Sequence, residues 1–140
     1  MMELKFFLKD NVTKRENQKV IISDRFKDDN GEMLPFEIKA ITSHRDTELR
    51  KAHTIQKEMK KGVFQPSLDS TTYMKALAIE CVISPNLNDK DVQDSYGVMS
   101  AGQLLDEMLL PGEYNELLEQ IQKINGWDVP IVEKKEQVKN

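Results

Sequence analysis

Residues 96–126 read YGVMSAGQLLDEMLLPGEYNELLEQIQKING, and two helices with marked ends are written into them. Ser100 with Gln103 forms a capping-box pair, in which the hydroxyl takes an orphan N–H and the amide reaches back. Met99 and Leu104 fit a hydrophobic staple across that start. Ala101, Leu104, Leu105, Met108 and Leu109 recur at helical spacing. Pro111 stands where a first-turn proline is tolerated, because its missing N–H would have no partner anyway. Tyr114, Leu117, Leu118, Ile121 and Ile124 make a second apolar stripe. Asn125-Gly126 stops it, since glycine takes the left-handed conformation without a Cβ penalty. The unit is built for packing, and it carries no catalyst.

Outward from that pair, the remaining chain divides into a β part and further helices. Lys19 to Ile41 reads as a hairpin around Asp29-Asn30-Gly31. A two-residue turn would mix its faces. A three-residue loop with Gly31 in the left-handed position pairs Phe26 with Leu34, Ile22 with Ile38 and Val20 with Ala40, giving one apolar face. Pro35 falls on the outer face and suggests an edge strand or a bulge. Such a hairpin is not stable alone, so helices must cover it. Residues 3–11 read as a short helix, and 11–18 as a polar connector. Leu49, Ala52, Ile55 and Met59 predict a strongly basic helix over 44–60, and 62–70 reads as a flexible loop. Residues 71–83 predict a central, buried helix. A short one follows over 89–95, capped by Asn88. Helices over 100–109 and 112–124 complete the set. The expected fold class is α+β, predominantly α-helical, with an N-terminal β-hairpin at about 19–41 packed on about five helices in a single domain. The division expected is 1–18 as a short helix and connector, 19–128 as the domain, and 129–140 as a flexible C-terminal tail.

Composition limits the function. With 140 residues, 39% apolar and 31% charged, the chain fits one soluble globular domain. No apolar run approaches the roughly 20 residues that span a bilayer. The start, MMELKFFLKD, lacks a signal cleavage site, so the protein is expected in the cytoplasm. Cys81 is the one cysteine and suits a reducing compartment. Residues 1–61 hold 14 Lys/Arg against 11 Asp/Glu, whereas 62–140 hold 6 against 13. The acidic end cannot sit on a phosphate backbone.

No reactive constellation emerges. His44, His53 and Cys81 match no metal-site spacing. Asp89, Asp91 and Asp94 lack the ligand order and glycine of a calcium loop, and read as caps and solvated charge. There is no Gly-rich phosphate loop, no GxSxG and no acid/base pair. The segment 89–109 could mimic a helix-turn-helix, yet its second helix offers Gln103, Asp106 and Glu107 and no cation. Seven methionines are more notable, because methionine adapts to varied apolar partners.

Several stretches carry a resemblance. RFKDDNGEMLPFEIKAIT (25–42), LRK (49–51) and SPNLNDKDVQDSYGVMSAGQLLDEMLLPGEYNELLEQIQKINGWD (84–128) resemble the XkdN-like tail assembly chaperones of phages and defective prophages of Gram-positive bacteria. The similarity covers most of 19–128. It implies a non-enzymatic protein without metal or cofactor, similar to the lambda-type tail chaperones. Those bind the long, aggregation-prone tape measure protein, recruit tail tube subunits and are absent from the finished virion. The partners implied are therefore the tape measure protein and the major tail tube protein, with no membrane. Met99, Met108, Leu109, Leu110 and Tyr114, around the Leu-Pro-Gly corner, are the expected partner-binding residues. Two other readings stand beside this one: a regulator binding nucleic acid through the basic 45–61 helix, and a structural tail subunit. Lambda-type chaperones also occur in a frameshifted long form. The codons near Lys134-Lys135 are accordingly expected to form a slippery heptamer leading into a second, overlapping frame.

Overall fold

The computed structural model describes residues 3–127. Its architecture is α+β, and the acidic helix pair lies where the capping signals put it. Helix α4 spans Ala101–Met108, with the Ser100 hydroxyl accepting from the Gln103 N–H at 3.2 Å. Helix α5 spans Pro111–Ile124, with Pro111 in its first turn and the Glu113 carboxylate accepting from the Leu110 N–H at 2.8 Å. At its end Gly126 takes φ +95°, while the Trp127 N–H donates to the Gln122 carbonyl and the Gly126 N–H to the Lys123 carbonyl. That is a Schellman stop. The Met99–Leu104 staple does not form: Met99 is 91% exposed, and its N–H is held instead by the Gln103 amide oxygen at 3.0 Å.

Between these ends the helices meet α2 (Ser70–Cys81), which packs against α4, α5 and α1 (Ser43–Ala52). Leu77, Ala78 and Cys81 are fully buried, as are Leu104, Leu105, Leu117 and Ile121. After Cys81 the chain turns directly into a strand, Val82–Ser84. The expected helix over 71–83 is therefore shorter, because β-branched Val82 and Ile83 serve a sheet better than a helix end. Helix α3 (Lys90–Ser95) is capped by Asp89, whose carboxylate accepts from the Val92 N–H, and not by Asn88.

The first sheet is antiparallel, in the order β1 (Gln18–Val20), β2 (Phe36–Ile38), β5 (Val82–Ser84). Its central strand buries Phe36 and Ile38 against the helices. Pro35 stands just before this central strand, so it marks a strand start and no edge. The expected hairpin register holds only near the turn, where Lys27 bridges Met33 and the Leu34 N–H bonds the Phe26 carbonyl. Gly31 has φ +78°, as the turn requires. Further down, Val20 pairs with Phe36. Between the two pairings the first strand advances seven residues and the second three, so residues 21–26 bulge out. The bulge turns Ile22 and Ser23 into the core and Arg25 toward α5.

The larger correction concerns 44–70. The basic helix stops at Ala52, and Thr54–Lys60 (β3) and Val63–Leu68 (β4) form an antiparallel hairpin turning at Gly62, φ +79°. Ile55 and Met59 are four apart, a spacing that fits a strand face as well as a helix face, and this is why the pattern misled. Thr54, Val63 and Phe64 decide for β structure. At the N-terminus, the expected helix over 3–11 is two separate 3-10 turns, Leu4–Phe7 and Lys9–Asn11, with no buried residue. The expected tail over 129–140 lies outside the described residues.

Candidate functional site

The bulge creates the site. Ser23 accepts from the Arg25 N–H at 3.0 Å, fixing the backbone so that the guanidinium crosses to α5. There it pairs with Glu113 and donates to the Met108 carbonyl at 2.9 Å, closing the exposed end of α4. The same carboxylate caps α5, and the guanidinium holds it well below its ordinary range, at about 2. One ion pair thus joins the β-hairpin, the end of α4 and the start of α5.

Beside that clamp opens a pocket of about 390 Å³ whose walls are mainly apolar: Phe26, Leu34, Pro35, Phe36, Pro85 and Met108. The Phe26 and Phe36 rings lie tilted with centroids 6.2 Å apart, forming one wall. Leu34 remains 45% exposed and Leu110 54% exposed, although both are large and apolar. Lys19, Glu37 and Ser84 supply the polar part of the lining. Such a mouth can take apolar side chains and has little polar chemistry with which to orient a small metabolite.

The five residues expected to bind a partner have separate placements. Met108 and Leu109 are buried, at 7% exposure each, and of the five Met108 is the one that lines the pocket. Met99 and Leu110 are exposed. Tyr114 is half-buried, with the Lys75 ammonium 4.8 Å from its ring centroid. Sequence reasoning missed Phe26, Leu34 and Pro85 as lining residues. Phe26 and Leu34 are expected on an apolar face covered by helices, and they line the pocket instead.

The residues weighed for chemistry have structural surroundings. His44 lies 3.6 Å from Glu48 on the surface of α1, and His53 Nδ1 is 3.1 Å from the Thr72 hydroxyl. Burial pushes the Cys81 thiol up to about 11. Asp89 caps α3 and Asp94 pairs with Lys90. Among the described residues no three His, Cys, Asp or Glu side chains cluster as metal ligands, and no helix is long and apolar enough to cross a membrane. The cations expected on one helix are dispersed. Arg45 pairs with Glu80, Arg50 with Asp46, and Lys57 and Lys60 sit on β3.

The fold joins a small antiparallel sheet to a helical body, with an apolar pocket lined by Phe26, Phe36 and Met108. Its family is shown by comparison: the chain belongs to the phage XkdN-like tail assembly chaperone proteins, whose pattern matches residues 4–139. It is 33% identical over 139 residues to the phage-like element PBSX protein XkdN of Bacillus subtilis (strain 168), covering 99% of this chain and 94% of that one. YqbN of the same strain is 32% identical over 139 residues, with 99% and 93% covered. The crystal structure of YqbN superposes with a TM-score of 0.75 at 29% identity, over 90% of this chain and 98% of that one.

Proposed function

We propose that this protein binds the tape measure protein of its phage tail, keeps it soluble and helps bring tail tube subunits to it. The observation that carries the reading is the apolar pocket between the hairpin and the end of α4, with Leu34 in its lining still 45% exposed. A long helical client presents apolar side chains at turn spacing, and a groove with adaptable Met108 in its wall accepts such a helix. Family membership supports the class of partner. The five expected residues then have distinct parts. Met99, Leu110 and Tyr114 meet the client from the surface, Met108 walls the pocket, and Leu109 anchors the corner from inside. The action is non-enzymatic, takes place in the host cytoplasm, and leaves the chaperone out of the mature virion. Domain 19–128 performs it.

The test is co-expression with the tape measure protein encoded by the same phage. The wild-type chain should move it into the soluble fraction and co-purify with it, while Leu34→Glu and Leu110→Glu should leave it insoluble. A tape measure that stays insoluble beside wild type, or two charged variants that work as well, would remove the proposal. The nucleic-acid reading rests on a basic helix over 45–61, of which α1 keeps Arg45, Arg50 and Lys51 while Lys57 and Lys60 lie on β3.

A further inference from the structure

The β3–β4 hairpin is a second feature, physically separate from the pocket. Every residue of β3 is exposed, and so are the first four of β4. The two strands form a sheet of their own, so β3 has no neighbour on its other edge among the described residues. Its base is clamped: the Asp69 N–H donates to the His53 carbonyl at 2.8 Å, and the Thr54 hydroxyl to the Arg50 carbonyl at 2.7 Å. The arm therefore leaves the body in a fixed direction.

Its two edges differ. Pro66 lies within β4 and removes a backbone donor from that strand, a common guard against further pairing. Residues 54–58 of β3 contain no proline and precede the bulge at Met59, and every second residue of a paired strand turns its N–H and C=O away from its partner. Two-stranded hairpins are marginal alone, and a third strand or packing against a helix stabilises them. The faces differ as well. Thr54, Gln56 and Glu58 pair with Leu68, Pro66 and Phe64, which places them together on one side. Ile55 and Lys57 share the other side, continued by Met59 at the bulge and by the Lys60–Val63 pair. That second side has apolar and basic groups and no acid. Ile55, Met59 and Val63 on it are each about half exposed.

We infer that the free edge of β3 takes an extended segment of a partner protein as a third strand, and that this segment carries an acid between two apolar residues. Cross-strand neighbours on one face lie directly opposite one another, so Ile55, Lys57 and Met59 select apolar, acidic and apolar side chains at alternate positions. The pairing is antiparallel, in which every second pair of directly opposite residues exchanges its N–H and C=O bonds. Backbone bonds supply the affinity and the alternating side chains the selectivity, as in other strand additions.

The test uses the full chain and a capped peptide, Thr-Val-Thr-Glu-Thr-Val-Thr. At millimolar peptide, amide hydrogen exchange should slow at alternate positions of 54–60 and stay unchanged in 63–68. Lys57→Glu, an exposed change that leaves the fold intact, should weaken binding by about fivefold, and a peptide with lysine in place of the glutamate should restore it. Replacing the two central threonines by proline keeps the side-chain pattern and removes two donors, and binding should vanish. No protection in β3, protection on β4 instead, or equal binding of the proline peptide would each overturn the inference. Pocket variants such as Leu34→Glu should bind the peptide unchanged, so this result stands or falls apart from the tape measure reading.

Discussion

Arg25 grips Glu113 with two hydrogen bonds, Nε to Oε2 at 3.0 Å and Nη2 to Oε1 at 2.5 Å, across 88 residues of sequence. The pair holds the bulged strand against the corner between α4 and α5 and so fixes the wall of the pocket. Glu113 is depressed from 4.5 to about 2, first by the bond from Arg25. A carboxylate depressed in the folded state contributes stability that is present above its unfolded value and is lost as pH falls toward its folded one. Melting temperature measured from pH 7 downward should therefore decline between about pH 4.5 and 2, and Glu113→Gln should lower the neutral value and flatten that part of the curve.

Charge placed on exposed Leu34 or Leu110 should act differently from charge placed on buried Met108 or Leu109. Leu34→Glu and Leu110→Glu alter exposed side chains and should leave the circular dichroism melt within about 0.5 kcal/mol of wild type. Met108→Lys and Leu109→Glu bury an unpaired charge and should cost about 3 kcal/mol or more. A variant at an exposed position that unfolds, or one at a buried position that melts normally, would show that the corner is packed otherwise.

Cys81 offers a probe of opening. Its thiol is fully buried and pushed up to about 11, chiefly by burial, so alkylation of the native protein near neutral pH should be slow and should follow unfolding. Asn125 lies against it, with Nδ2 donating to Sγ at 3.6 Å and to the Ile121 carbonyl at 2.8 Å while Oδ1 accepts from the Ile41 N–H at 2.8 Å. Asn125→Ala strands the Ile41 donor and should cost about 1–3 kcal/mol, seen as faster labelling of Cys81.

The arm should be dispensable for folding. Replacing residues 55–67 by a short glycine-serine turn keeps the His53–Asp69 bond at its base and removes exposed residues. A change in stability of about 0.5 kcal/mol or less is expected from denaturant melts.

What could be read in advance follows from how local each signal was. Ser100, Pro111 and Gly126 act within one helix turn of themselves, and the helix pair came out with ends at Met108 and Ile124. The hairpin turn at Gly31 was equally local. The register beyond it was not, because residues 21–26 bulge toward a partner, Glu113, that no short-range pattern announces. Ile55 and Met59 failed for another reason: a four-residue spacing does not separate a 3.6 period from a period of two. Of the expected site, Met108 does line the pocket, while Phe26, Leu34 and Pro85 join it through contacts between segments far apart in sequence, which no local pattern announces.

Hydrogen exchange on the complex tests the central claim most directly. With purified tape measure segments added to the full chain, amides of residues 26–34, Phe36, Ser84 and residues 108–110 should be protected. Leu34→Glu should abolish that protection while keeping the exchange pattern of the free domain. Tight binding with protection confined to other surfaces, or protection that survives Leu34→Glu unchanged, would contradict the pocket as the place where the client is held.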